Sequence, residues 1–192
     1  MAAVAKLERT RGGGESELLE MIRRRSMRLG KFTLASGRES DLYLNLKPTM
    51  MDPRGAHLCA KALLDRVPPG SDYVGGLEMG AVPVIAALAA LSDIEGRPVR
   101  TFFVRKSAKD HGTREVVEGL AAGESLAGKK VLMIDDVATT GGSVVKAIEA
   151  ARAAGATVED ALVIVDRQEG GAENLAALGV RLASVFVGDD FR

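Results

Sequence analysis

The sequence predicts an α/β protein with a central, mostly parallel sheet, flanking helices and a small accessory element at the N-terminus. Three observations lead there. From about residue 73 onward, strand-like and helix-like segments alternate. The strand candidates, such as VLMI at 131–134 and ALVIV at 161–165, are apolar throughout, as in parallel strands covered on both faces. The segment before about residue 50 breaks the rhythm with short strands around a glycine turn.

Taken in order, residues 1 to about 14 end in three glycines and read as a disordered lead-in. A helix is expected from about Ser16, with Leu18, Leu19, Ile22 and Met27 at helical spacing and Gly30 as its stop. Two short strands follow at 32–35 and 42–46, split by the turn Ser36-Gly37-Arg38. Together, residues from about 15 to 50 form an expected N-terminal hood on a single domain spanning 1–192. Asp52 as N-cap and Pro53 in the first turn open a helix running to about Arg66.

Strands are then expected at 73–77, 99–104, 130–134, 161–165 and 182–187. Helices are expected at 82–91, 143–154 and near 173–178. Residues 105–114 carry no apolar period and read as a long loop. Asp189 and Asp190 read as a solvated tail, and His57 as a packed or surface helix residue.

Composition excludes several classes of function. Lysine plus arginine equals aspartate plus glutamate, 26 each, so no global field recruits nucleic acid or an anionic membrane, and a basic site must be local. The most apolar run, 81–91, is too short to span a bilayer, and the polar start lacks a signal-peptide core. The one cysteine, Cys59, precludes an internal disulfide, fits a reducing cytoplasm and reads as buried filler.

In open parallel sheets ligands bind beyond the carboxyl ends of the strands, and the ends after Leu77, Val104, Ile134 and Val165 carry unusual residues, three of them as extended motifs. The first is VLMIDDVATTGGS, 131–143. A buried strand delivers Asp135 and Asp136. Val137 and Ala138 then lead into Thr139, Thr140, Gly141, Gly142 and Ser143 at the start of a helix. Backbone amides at Gly141 and Gly142, a helix N-terminus and three hydroxyls make a phosphate cradle. Two adjacent acids repel that phosphate but suit a polyol or a metal beside it, so a sugar phosphate satisfies both halves. The lysine of a Walker A loop and the spaced glycines of a dinucleotide fingerprint are both missing.

The second end is RKSAKDHG, 105–112, where Arg105, Lys106, Lys109 and His111 form a local anion trap. Cations closing over a departing polyanion would stabilise charge building on its oxygens. The third is VDRQEGG, 165–171, where Arg167 ends a buried strand with a guanidinium suited to a carboxylate.

The acid-acid-x-x-Thr-x-Gly-Gly pattern resembles the binding signature for phosphoribosyl pyrophosphate (PRPP) in type I phosphoribosyltransferases. The 105–112 string and FTLASGRESDLYLNLK at 32–47 are similar to those of the orotate phosphoribosyltransferase branch. The resemblance covers 32–167, in the family's order.

It implies the type I phosphoribosyltransferase fold and transfer of ribose 5-phosphate from PRPP to orotate, a step of pyrimidine biosynthesis. Asp135 and Asp136 would hold the ribose hydroxyls and residues from Thr139 to Ser143 the 5-phosphate, with Val137 and Ala138 also among the PRPP-binding residues. Arg105, Lys106, Lys109 and His111 would meet the pyrophosphate, with Lys109, His111, Asp135 and Asp136 catalytic. Thr139 and Arg167 would bind orotate. Mg2+ would be held mainly through PRPP and water, with no direct protein ligand. The resemblance also implies a homodimer with shared active sites.

Two departures stand out: some members carry a lysine where Ala35 stands, and a tyrosine-lysine pair where Met79 and Gly80 stand. Glu78, beside that gap, is a candidate for contact with magnesium through water. Other readings stay open at this point: a transferase for another base, a PRPP-sensing regulator, or a phosphoacceptor domain with paired acids.

Overall fold

A computed structural model describes residues 12–33, 39–106 and 116–192. Helix α1 (Gly13–Arg25) buries Leu18, Leu19, Met21 and Ile22 and ends in three arginines that complement its dipole. It begins at the glycine run, ahead of the expected Ser16, and stops well before Gly30. Residues Met27–Thr33 instead form strand β1, paired antiparallel with β2 (Glu39–Leu44). Met27 and Leu29 fit a helical stripe and a strand equally well; pairing with Leu44 and Leu42 decides for the strand. Gly30, at φ +152°, sits where the register shifts between Leu29 and Phe32. The lead-in at 1–11, the turn at 36–38 and Ala35 lie outside the described residues.

A short helix, α2 (Lys47–Met50), follows unforeseen, and the Thr49 hydroxyl meets that of Ser26 at 2.7 Å in the interior. Helix α3 (Pro53–Leu64) starts as expected, with Asp52 Oδ1 accepting from the amides of Arg54 and Gly55 at 3.0 and 3.1 Å.

The main sheet alternates with helices: β3 (Tyr73–Leu77), α4 (Val82–Ile94), β4 (Arg100–Val104), β5 (Val117–Glu118), β6 (Lys130–Ala138), α5 (Gly142–Ala153), β7 (Thr157–Asp166), α6 (Gly171–Ala176) and β8 (Arg181–Val187). Among the described residues its order is β5-β4-β3-β6-β7-β8, with only β5 antiparallel to its neighbour.

Alternation along β6 sorts the core into two layers. Leu132 and Ile134 pack with the buried faces of α1 through α4, and Val131 and Met133 pack with those of α5 and α6. Strand β6 runs past the expected end at Ile134, because β7 keeps pairing with it as far as Ala138 opposite Asp166.

The C-terminal acids are not the expected solvated pair. Residues Gly188–Phe191 form a 3-10 turn that buries Phe191 edge-on to Phe186, with ring centres 6.1 Å apart. Asp190 Oδ2 accepts from the Val187 amide at 2.9 Å, and its carbonyl accepts from Arg23 Nη2 at 2.7 Å. Asp189 does stay exposed, paired with Arg192. Among the described residues no helix is long and apolar enough to cross a membrane.

Candidate active site

The end of β6 turns into α5 through a backbone conformation that needs glycine. Gly141 caps α5 at φ +77°, and a Cβ there would lie 2.7 Å from Leu175 Cδ1 of α6. The first intrahelical bond runs from the Val145 amide to the Gly141 carbonyl, so the amides of Gly142, Ser143 and Val144 precede the helix's own ladder. These residues line a cavity of about 510 Å³ with Asp135, Val137, Thr139, Thr140, Gly141, Lys106 and Lys146. An open cavity floored by helix-start amides beside three hydroxyls suits an anion of phosphate size.

Both acids lie within β6, close to its end. Alternation sends Asp135 toward the α5 face and Asp136 toward the α3 face, where its charge reinforces burial in pushing the Cys59 thiol up to about 12. Cys59 is therefore inert filler, as expected. Asp135 is buried, and its pKa is raised to about 8, first by burial and then by the neighbouring Asp136 charge. Asp135 Oδ1 accepts the Asp136 amide and Asp136 Oδ1 accepts the Val137 amide, each at 2.9 Å.

Gly80 closes over both carboxylates. A Cβ on it would stand 2.5 Å from Asp135 Oδ1 and 3.0 Å from Asp136 Oδ1. The turn after β3 comes so close to the acids that a side chain here would require the Asp135 carboxylate to shift.

At the end of β4 the chain leaves through an anchored base. The Lys106 amide donates to Glu78 Oε1 at 2.8 Å, the Arg105 amide to the Val116 carbonyl at 2.8 Å, and Arg105 Nη1 lies 3.6 Å from Glu118 Oε1. Glu78, read from sequence as a contact for magnesium waters, has one carboxylate oxygen engaged in holding this base. Strand β5, which pairs with β4 here, is two residues long and left no periodic trace in the sequence. Lys109 and His111 lie outside the described residues.

Arg167 follows β7, the neighbour of β6. Its amide donates to the Ala138 carbonyl at 2.9 Å, and its buried guanidinium meets Glu169 Oε1 at 2.8 Å. Gln168, next in the chain, adopts φ +58°, and its amide is held by Asp166 Oδ1 at 2.8 Å. Such a conformation in a non-glycine residue marks a turn shaped by its surroundings. Arg167 does not line the 510 Å³ cavity; Ala138 is buried and contributes its carbonyl.

What ties the two strand ends together is α6. Asn174 Nδ2 donates to the Thr140 carbonyl at 2.9 Å, and a Cβ at Gly171 would lie 3.1 Å from the Thr139 carbonyl. Gly80, Glu169, Asn174 and Lys146 are the site residues that sequence reasoning missed. The glycines of 170–171 beside the arginine turn were the available hint of close packing.

A paired-acid strand running into a phosphate cradle, on a parallel sheet, defines a protein that handles a sugar phosphate. Residues 53–181 match the family model described as a phosphoribosyl transferase domain. The orotate phosphoribosyltransferase of Bradyrhizobium sp. (strain ORS 278) is 50% identical over 183 residues, covering 95% of this chain and 99% of that one. Among solved structures, the Mycobacterium tuberculosis orotate phosphoribosyltransferase in complex with Fe(III) dicitrate is 36% identical, with a TM-score of 0.79 over 93% of this chain and 98% of that one. The same protein in complex with PRPP gives 32% identity and a TM-score of 0.75 over the same shares. The chain belongs to the orotate phosphoribosyltransferase family of type I phosphoribosyltransferases.

Proposed function

We propose that this protein transfers ribose 5-phosphate from PRPP to orotate, giving orotidine 5'-monophosphate and pyrophosphate in pyrimidine biosynthesis. The observation that carries the reading is the shared cavity of Asp135 and residues 139–143, one strand away from Arg167. Amides and hydroxyls from Thr139 to Ser143 seat the 5-phosphate, with Val137 and Ala138 shaping the approach. Asp135 and Asp136 take the ribose hydroxyls and, where ionised, stabilise positive character at the anomeric carbon as its bond to pyrophosphate breaks; the orotate ring nitrogen bonds there and its proton passes to the departing pyrophosphate. Arg105, Lys106, Lys109 and His111 meet the departing pyrophosphate. Arg167, with Thr139, takes the orotate carboxylate, competing with Glu169 for the guanidinium.

Magnesium, held mainly through PRPP and water, would supply charge neutralisation of the leaving group. The donor set fits a hard dication: Asp135 and Asp136 offer adjacent carboxylate oxygens, reachable through hydroxyls or water. The working unit is a single domain, with residues 15–50 as a hood, in a cytoplasmic homodimer whose sites borrow Lys109 from the partner.

Orotate consumption, followed by its ultraviolet absorbance, tests the reading. Loss of absorbance should need PRPP and magnesium together, and uracil or adenine should not replace orotate. Turnover of a neutral base but not orotate would overturn it. For the shared site, mixing Lys109→Ala and Asp136→Ala homodimers should restore activity toward about a quarter of wild type, as half the dimers gain one intact site. Proven subunit exchange without recovery would sink the shared site alone.

A further inference from the structure

We propose that Lys146 is a further substrate-binding residue, its ammonium pairing with the 5-phosphate dianion; this rests on the function proposed above. Lys146 is on α5, four residues past Gly142 and three past Ser143, so it stands on the same helix face as the cradle. It lines the same cavity as Asp135 and the cradle residues.

It is an exposed lysine on the second turn of α5. A cation close to a helix N-terminus opposes the macrodipole. Among the described residues no carboxylate pairs with it, whereas Lys61 pairs with Asp65 at 2.8 Å and with Glu95 at 2.9 Å, and Lys129 lies 4.0 Å from Asp72. Arg152, farther along α5, is likewise engaged, by the carbonyls of Leu178 and Val158. With no carboxylate paired to it, the Lys146 ammonium is available to an anion seated in the cavity it lines.

The chemistry supports this. Backbone amides and a helix start supply only about half a unit of positive charge, against nearly two negative charges on a phosphate monoester. Asp135 in the same cavity subtracts further when ionised. Lys146 supplies the missing full charge from the helix side, and Lys106 faces the cavity from the β4 end.

A 5-phosphate contact belongs equally to PRPP and to the nucleotide product, and to neither pyrophosphate nor orotate. Steady-state kinetics of the full-length protein in both directions therefore isolates it. Lys146→Met should raise KM for PRPP and for orotidine 5'-monophosphate by the same factor, about 3- to 10-fold for a solvent-accessible charged contact. KM for pyrophosphate and orotate should not move, inhibition by inorganic phosphate should weaken in parallel, and Lys146→Arg should restore wild-type values. Unchanged PRPP and nucleotide constants would overturn the proposal. So would a joint shift of PRPP and pyrophosphate without the nucleotide, which would place Lys146 on the leaving group. Should wild-type protein fail to use orotate, the functional reading falls separately; calorimetric titration of wild type and Lys146→Met with inorganic phosphate still decides the role of Lys146.

Discussion

The ends of β6 and β7 lie side by side yet are built on opposite principles. On the proposed reading, the binding surface after β6 is backbone, shaped by small residues that leave room for amides to approach. After β7 it is one long side chain, Arg167, buried beside Glu169. A backbone cradle tolerates changes among its hydroxyl side chains and no added Cβ where its turn is tight. A side-chain site behaves the other way, with its specificity concentrated in one group.

That contrast is most sharply broken or kept by Arg167→Ala. Losing a buried charged partner costs about 2–5 kcal/mol, and on the proposed reading it should appear as a raised KM for orotate with PRPP nearly unaffected. Equal losses for both substrates would mean that Arg167 supports the fold common to the two strand ends.

Next comes the proton held at the β6 end. Asp135 titrates near 3.8 in an unfolded chain and is raised to about 8 in the folded protein. The folded state thus holds a proton that the unfolded chain gives up. Its contribution to stability is complete below about pH 4 and is lost as pH rises through 8. Asp135→Asn should abolish this slope and be more stable than wild type at pH 8 by about 2–3 kcal/mol, measured by urea unfolding across pH 4–8. Parallel pH profiles for the two proteins would refute the buried, proton-holding acid.

Gly141→Ala tests the backbone half. Forcing a Cβ onto φ +77° and against Leu175 should cost about 1–3 kcal/mol in stability, and kcat/KM for PRPP should drop more than that for orotate. Smallest of all is Asn174→Ala. Removing its bond to the Thr140 carbonyl should raise KM for PRPP by roughly 2- to 10-fold, about 0.5–1.5 kcal/mol, with kcat and melting temperature close to wild type.

The same division governs what could be read in the sequence. Asp135, Asp136 and the turn at 139–143 were legible because a strand, two acids, glycines and a helix start are consecutive, and local chemistry alone gives them meaning. Arg167 was legible as a charge at the end of an apolar run. Its partner Glu169 was not, since two residues of spacing in a turn fix no geometry. Gly80 and Asn174 act only through contacts with distant segments, the acids of β6 and the carbonyl of Thr140. At the N-terminus Met27 and Leu29 satisfied two periods at once, and only pairing with Leu44 and Leu42 chose between them. Asp190 looked like tail because nothing in its neighbourhood announces Arg23, which reaches it from α1.

Parallel pairing of β6 with β7 carries a consequence for how such an enzyme can diversify. Ala138 stands opposite Asp166 in that ladder, so the roots of the phosphate cradle and of the Arg167 turn are one interstrand spacing apart, about 4.8 Å. Hydrogen-bonded strands hold that spacing more rigidly than any loop could. On the proposed reading the sheet works as a ruler between donor and acceptor: residues after β7 can be exchanged for those suiting another acceptor while the sugar phosphate stays on the same mark.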